Sequence, residues 1–286
     1  MNDTLVILGN GFDLDLGWKT SYRDFYTAKY QNFTNLTGMS YINNMIKGDY
    51  WFDLEGYIRD CILSLSKDDI EVINCFWQIC RDFIFDYLSN PRYEGTIYTT
   101  NKEGCAYAFL RKLKNASIVS FNYTDPFTKN GLEYINMIHM HGNLKEGVYK
   151  TKIGVDSLIR ERCELSKEER ISCIIKANSN CEKLELLFTE FKRAKNIIIY
   201  GHSLGITDSD YFKPFFKSII ANRISDKNIY IVTYDESSLQ NIKDNMKSYG
   251  IDYYSLLMSN VSIKVIFTSK GKNHIDFSMM INNVSL

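Results

Sequence analysis

The chain has 286 residues, of which 45% are hydrophobic and 24% are charged, and this balance is typical of a globular protein with a sizeable core. Its 34 basic and 34 acidic side chains cancel, so the basic excess common in nucleic-acid-binding proteins is absent and we expect no nucleic-acid partner. No apolar run approaches the roughly 18 residues of a membrane span, and the N-terminal run is too short for a signal peptide. We therefore predict a soluble, cytoplasmic protein with no membrane partner.

The hydrophobic pattern predicts an α/β fold. Thr4 to Leu8 is a short apolar run leading into Gly9-Asn10-Gly11, which is typical of a buried strand followed by a loop. Residues 21–114 then show apolar side chains at helical spacing, notably over 51–63 and 68–88. Further strands are predicted at 116–121, 134–138, 196–200, 228–233 and 261–267, and helices at 181–195, 208–220 and 237–249.

Strands that alternate with helices predict a Rossmann-like, mostly parallel sheet covered on both faces. We expect one domain over residues 1–286, in which the mainly helical segment 21–114 is an insertion or cap beside the sheet. The seven cysteines are odd in number and form no C-x-x-C pair, so free thiols and no structural zinc are expected.

Polar, glycine and histidine residues are concentrated directly after the predicted strands. Ligands of open parallel sheets bind outside the carboxyl ends of the strands, so these segments are expected to meet in one cleft. The segments are Gly9-Asn10-Gly11, Asn122-Tyr123-Thr124, His139-Met140-His141-Gly142, Gly201-His202-Ser203-Leu204 and Asp235-Glu236.

The first of these segments has two interpretations. Gly9 and Gly11 would let backbone N–H groups approach an anionic ligand, or they form a tight turn after the strand and bind nothing. The full dinucleotide fingerprint would need glycine where Leu14 stands, and no acidic strand end follows about 20 residues later. The pattern therefore does not predict an ordinary NAD(P) dehydrogenase.

Asn122 and two histidines are the candidates for chemistry. The amide of Asn122 would position a water or a ribose hydroxyl, although Asn at this place also caps turns. His139 and His141 could begin a metal site, but no carboxylate or cysteine cluster nearby completes one, so no metal is predicted. Only His141 precedes a glycine, which lets its imidazole face the cleft as a general base; the alternative is a hydrogen-bonded structural histidine.

Gly201-His-Ser-Leu-Gly205 also matches the G-x-S-x-G nucleophile elbow. A hydrolase built on Ser203 would take its acid and base from later in the chain, where Asp235 and His274 stand in that order. This alternative leaves Gly9, Asn122 and His141 without a role.

Taken in this order, the segments resemble the AbiH family of bacterial abortive-infection proteins. The matching pieces are Leu8 to Leu14 with Thr20 to Phe25, Ser120 to Thr124, Ile138 to Asn143 and Gly201 to Phe212, and Trp51 to Glu55 is a further candidate. The resemblance implies an anti-phage function. The partners compatible with it are a phage component that triggers the protein and further copies of the same chain in a homo-oligomer.

The same series is similar, more distantly, to sirtuins and sirtuin-like NAD hydrolases. That resemblance implies a sirtuin-like sheet that binds NAD, with catalysis by Asn122 and His141 and hydrolysis at the nicotinamide–ribose bond. The nucleotide would be bound by Gly9, Asn10, Gly11, Phe12, Asp13, Gly201, Ser203 and Asp208. The four-cysteine zinc module of sirtuin deacylases is missing, which counts against deacylation. The alternative function is a non-catalytic module that senses a nucleotide.

Overall fold

The computed structural model describes residues 3–29, 55–56, 59–60, 63, 82–133, 137–145, 151, 154, 156–157 and 181–284. Six strands form its centre, namely β1 (Thr4–Leu8), β2 (Ser117–Ser120), β3 (Met137–His139), β4 (Asn196–Tyr200), β5 (Asn228–Thr233) and β6 (Ser262–Phe267).

The helices surround this sheet. In chain order the described ones are α1 (Asn10–Asp15), α2 (Tyr22–Lys29), the π-helical α3 (Asp82–Leu88), α4 (Pro91–Ile97), α5 (Cys105–Leu110), α6 (Pro126–Lys129), α7 (Cys181–Arg193), α8 (Ser209–Ile220), α9 (Glu236–Ser248), α10 (Tyr253–Leu257) and α11 (Ile275–Asn283). Short 3-10 turns lie at Ile206–Asp208 and Thr268–Lys270. None of the described helices is long and apolar enough to cross a membrane.

The six strands are all parallel and lie in the order β3-β2-β1-β4-β5-β6. This is a Rossmann-like α/β sheet. Strands β1 to β3 extend it in one direction and β4 to β6 extend it in the other, so the strand order reverses between the neighbouring strands β1 and β4. At such a switch point the loops that follow the two neighbouring strands diverge to opposite faces and leave a crevice. The fold therefore places a crevice directly after Leu8 and Tyr200.

Two hydrophobic layers bury the sheet, because successive side chains of a strand point to opposite faces. Leu5 and Ile7 of β1 face a layer that contains α7, α8 and α10. Val6 and Leu8 face the other layer, which contains α5 and α11. All five residues of β1 are buried, as expected for a central strand covered on both sides.

The predicted strands are confirmed. The bounds of β1, β4 and β5 agree with the sequence pattern, whereas β2 and β6 are shorter by one or two residues. Of the strand predicted at 134–138, residues 137 and 138 belong to β3, which continues to His139, and residues 134–136 lie outside the described part of the chain. The helices predicted after residue 180 are present as α7, α8 and α9.

Much of the segment 21–114 lies outside the described residues, including most of the helical patterns at 51–63 and 68–88. The regular elements described within it are helical, namely α2 to α5. The prediction of an inserted cap stays a prediction. Of the cysteines, Cys105 and Cys181 carry free thiols, and the other five fall outside the described residues.

Candidate functional site

A cavity of about 800 Å³ opens at the carboxyl ends of the strands, where the switch point predicts a crevice. This volume is within the range of small-molecule sites, roughly 300–1,000 Å³. Residues after all six strands contribute to its lining, from Gly9 after β1 to Thr268 after β6. A single cavity therefore connects both halves of the sheet.

Close contact between the loops after β1 and β4 explains the glycines of both motifs. A Cβ atom on Gly9 would lie 2.5 Å from Cα of His202, and one on Gly201 would lie 2.2 Å from the backbone nitrogen of Phe12. Gly201 also has φ of 65°, in the left-handed region that glycine adopts readily. Glycine is thus required because the two loops touch along their backbones.

Hydrogen bonds between these loops use the amides that the sequence suggested for an anion. The N–H of Gly9 donates to the carbonyl of Tyr200 at 2.9 Å, and the N–H of Gly11 donates to the carbonyl of Gly201 at 2.8 Å. Within the first loop, the N–H of Phe12 donates to the carbonyl of Gly9 at 2.9 Å. Both glycines line the cavity, but these N–H groups hold the loops together.

Asn122 is held in one orientation by its own amide. Its Nδ2 donates to the carbonyl of Gly9 at 3.0 Å and to Oδ1 of Asp13 at 2.9 Å. Both amide protons are therefore committed to the protein. The group that Asn122 can offer a ligand is its Oδ1, which accepts a proton from a hydroxyl or a water.

Asp13 is a carboxyl group that is 1% exposed in the wall of the cavity. In addition to the Asn122 amide, it accepts a hydrogen bond from Oγ1 of Thr124 at 2.5 Å. Burial raises the pKa of Asp13 to about 7, and the hydrogen bonds from Thr124 and Asn122 oppose this effect only in part. A carboxyl group that exchanges its proton near neutral pH thus lies beside Asn122.

Two buried histidines in the cavity lining approach one carboxylate. Nε2 of His141 lies 3.3 Å from Oδ1 of Asp208, and Nε2 of His202 lies 3.4 Å from Oδ2. The His141 contact lacks hydrogen-bond geometry, so its Nε2 is a buried nitrogen without a hydrogen-bond partner. A buried nitrogen without a hydrogen-bond partner destabilises the folded protein unless a ligand or a small movement of the site supplies the missing hydrogen bond.

His139 has a structural role and does not face the cavity. It lies outside the cavity lining, it is 8% exposed, and its Nδ1 is 3.0 Å from the carbonyl oxygen of Asn122. Because a carbonyl only accepts, Nδ1 of His139 carries the proton. His139 therefore stabilises the Asn122 loop from behind, whereas His141 faces the cavity.

Further charged groups line the cavity. Burial raises the pKa of Asp15, which accepts hydrogen bonds from the Tyr200 hydroxyl and the Ala106 amide. Glu55 accepts from Oγ1 of Thr207 at 3.2 Å. Among the described lining residues, Arg23 is the only Lys or Arg, so carboxyl groups dominate this wall.

The structure brings nine of the ten candidate residues to this cavity: Gly9, Asn10, Gly11, Asp13, Asn122, His141, Gly201, Ser203 and Asp208. Phe12 is the exception. Its ring is fully buried in the core and packs edge-on against Tyr200 at a centroid distance of 5.0 Å. The side chain of Phe12 is therefore part of the core, not of the cavity wall.

Several lining residues had no predicted role. Thr124 and His202 belong to recognised segments, but neither spacing nor residue type indicates that Thr124 reaches Asp13 or that His202 reaches Asp208. Glu55 is the last residue of the Trp51 to Glu55 segment, and the family resemblance of that segment was the one feature of the sequence that could have indicated a role for Glu55. Within the described residues, no cluster of three or more His, Cys, Asp or Glu side chains that could hold a metal ion is found.

The nucleophile-elbow interpretation is wrong. Asp235 caps the N-terminus of α9, where it accepts from the backbone N–H and hydroxyl of Ser238 at 2.8 Å. His274 precedes α11, with Nδ1 3.4 Å from Asp276. Neither residue lines the cavity that contains Ser203, so no Ser-His-Asp triad is assembled.

A comparison with protein families matches residues 83–234, more than half of the chain, to the family described as Bacteriophage abortive infection AbiH. The matched region includes the segments that carry Asn122, His141 and Asp208. Comparisons with curated proteins and with solved structures give no match.

Proposed function

This chain belongs to the AbiH family of bacteriophage abortive-infection proteins, and we propose that it acts in that role by hydrolysing NAD at the bond between nicotinamide and ribose. The proposal rests mainly on one observation. Asn122 and His141 lie in the same cavity at the switch point of a parallel sheet ordered β3-β2-β1-β4-β5-β6, which is where such sheets bind dinucleotides.

The chemistry of this bond suits the groups in the cavity. The bond between C1′ of the ribose and the pyridinium nitrogen breaks, and its electron pair neutralises the departing nicotinamide. The ribose then carries positive charge, and nearby carboxylates stabilise such oxocarbenium-like sugars. Asp13 and Glu55 supply carboxyl groups to the lining, which supports this proposal.

Water completes the reaction. Oδ1 of Asn122 accepts one proton of the water or of a ribose hydroxyl, because both protons of its own amide are donated elsewhere. The water oxygen bonds to C1′, and His141 takes the proton that is released. The products are nicotinamide, ADP-ribose and one proton, so atoms and charge balance.

The rest of the dinucleotide would lie along the backbone of the two glycine loops. The cavity lining there consists of Gly9, Asn10, Gly11 and Gly201. Arg23 lies in the cavity lining and would contact the pyrophosphate, because the amides of Gly9 and Gly11 are engaged with the protein. Ser203 is exposed at the rim, where it would contact a ribose.

The experiment measures nicotinamide released from NAD labelled in its nicotinamide ring. Because a protein that arrests its host is expected to be inactive until triggered, the purified protein is assayed with and without extract from phage-infected cells. His141→Ala should reduce the release about 10²–10⁴-fold, which is typical of losing a general base.

Equal and negligible release by the wild type and His141→Ala in both conditions would contradict hydrolysis. NAD binding measured by calorimetry separates the remaining possibilities. Binding without release would identify a nucleotide sensor, which is the second candidate function, and the absence of both would remove NAD as the ligand.

A further inference from the structure

One carboxylate faces two imidazoles in the cavity wall, and each of its oxygens faces a different ring. Oδ1 of Asp208 lies 3.3 Å from Nε2 of His141, and Oδ2 lies 3.4 Å from Nε2 of His202. All three residues are largely buried, with 8%, 4% and 5% exposure for Asp208, His141 and His202. The residues come from different places in the sheet, following β3 and β4.

The backbone determines which nitrogen of His202 carries the proton. Nδ1 of His202 accepts a hydrogen bond from the N–H of Leu204 at 2.9 Å. A nitrogen that accepts has no proton, so in the neutral ring the proton is on Nε2. That Nε2–H faces Oδ2 of Asp208. An ionised carboxylate has no proton to donate, so its oxygens only accept hydrogen bonds.

His141 is restrained by packing. Its ring contacts Phe121 edge-on at 5.3 Å, Tyr123 at 6.3 Å and Tyr211 at 6.0 Å, measured between centroids. Phe121 also packs edge-on against His202 at 4.5 Å, so one aromatic ring supports both imidazoles. These rings restrain the imidazole, and its Nε2 lies 3.3 Å from Oδ1 of Asp208.

Only one tautomer of neutral His141 suits that position. If the proton were on Nδ1, the lone pair of Nε2 would face a carboxylate oxygen inside the protein, which is repulsive. With the proton on Nε2, the contact is attractive and the lone pair is on Nδ1. An orienting carboxylate has this effect on the base of Ser-His-Asp sites.

We propose that Asp208 is a positioning residue that holds His141 and His202 as Nε2–H tautomers, so that Nδ1 of His141 is the nitrogen that accepts the proton of the attacking water. Asp208 does not touch the reacting atoms; it orients the base and stabilises the imidazolium that forms when the water proton arrives. The catalytic part rests on the proposed function, whereas the tautomers do not.

The test is nitrogen NMR of the protein labelled with ¹⁵N in its imidazole rings. The chain has four histidines, so each ring can be assigned with one His→Gln variant. His139 is the internal reference for the opposite tautomer, because its Nδ1 faces the Asn122 carbonyl oxygen. We expect Nδ1–H for His139 and Nε2–H for both His141 and His202. The Nδ1–H tautomer at His141 in the wild type would overturn the proposal.

Removing the carboxylate provides the second arm. In Asp208→Ala, His141 should change to a mixture of tautomers, whereas His202 should keep Nε2–H because the Leu204 amide still donates to it. A retained His202 spectrum therefore shows that the loop is intact. Should His202 also change, the isosteric Asp208→Asn is measured instead. In either variant, an unchanged His141 spectrum would refute the role of Asp208, and Asp208→Glu should restore Nε2–H.

The release of nicotinamide separates this inference from the proposed function. Asp208→Asn should lower kcat about 10²–10⁴-fold and leave KM within a few-fold, since Asp208 orients the base and does not bind the substrate. An unchanged kcat, or a loss confined to KM, would overturn the catalytic part. If the wild type releases no nicotinamide while the tautomers are as expected, the proposed function fails and the positioning role stands.

Discussion

Asp13 is a buried carboxyl group in the cavity wall, and Asp13→Asn removes its ionisation with little change in shape. The side chain is 1% exposed and is bonded to Asn122 and Thr124. The introduced amide keeps one acceptor oxygen for the Asn122 amide, and the Thr124 hydroxyl can rotate to accept from the new NH₂ group. We therefore expect the variant to fold.

The magnitude follows from the pKa difference between the folded and unfolded chain. Burial raises the pKa of Asp13 from 3.8 to about 7, so between these values the folded protein holds a proton that the unfolded chain has lost. The stabilising contribution is complete below pH 3.8 and disappears as the pH rises through about 7. Since one pKa unit is equivalent to about 1.4 kcal/mol, the loss amounts to roughly 4 kcal/mol.

Urea denaturation of the wild type and Asp13→Asn at several pH values from 4.5 to 8.5 measures this contribution. The free energy of unfolding of the wild type should fall relative to that of the variant as the pH rises. Asp235→Asn is the matched control, because hydrogen bonds from Ser238 lower the pKa of that half-buried helix cap. Its contribution is lost only as the pH falls below the usual range of aspartate, so it should not reproduce the trend.

The outcome that would refute this reasoning is a constant difference between the wild type and Asp13→Asn across the whole pH range. Asp13 would then have an ordinary pKa, and its carboxyl group would be ionised at every pH at which the protein works. Over the pH range of the experiment the difference should grow by about 3 kcal/mol, and much smaller growth would show that water reaches the group.

Two further pairs of variants test the site and the glycine contacts. His141→Ala should abolish phage protection at unchanged protein abundance. His139→Ala should act through stability by about 1–3 kcal/mol, because it removes the shorter of the two hydrogen bonds to the Asn122 carbonyl and leaves the longer one from the Ser120 hydroxyl. The reverse pattern in plating assays would show that the base is misassigned. Gly201→Ala should destabilise the fold by more than about 3 kcal/mol in urea melts, since its Cβ would lie 2.2 Å from the Phe12 nitrogen. Gly250→Ala, with φ of 82° but no atom within 4 Å, should cost only about 1–2 kcal/mol; equal losses would exclude the loop contact as the cause.

The strands could be predicted because each is a short apolar run bounded by turn residues. The five residues of β1 are apolar or β-branched, and all are buried, as a strand covered on both faces requires. The order of the strands could not be predicted, because a run such as Asn196 to Tyr200 carries no information about which strand lies beside it. That order depends on packing between distant elements.

The candidate site could be predicted only as a set of positions. The placement of Asn122 and His141 after strands was enough to bring them to one edge of the sheet. The sequence did not decide why Gly9 and Gly11 are glycines, because a close backbone contact and an anion-binding loop need the same residue type. The close approach of both residues to the loop at Gly201 favours the backbone contact. Phe12 stands in the glycine motif, but helix α1 begins at Asn10 and turns its ring into the core.

The most direct test of the central claim is the NAD content of cells during phage infection, measured together with nicotinamide and ADP-ribose. Cells that carry the wild-type protein are compared with cells that carry His141→Ala at equal protein abundance. We expect that NAD falls and both products accumulate after infection in the wild-type cells alone. Protection by the wild type while NAD stays at the level of the variant cells would contradict it.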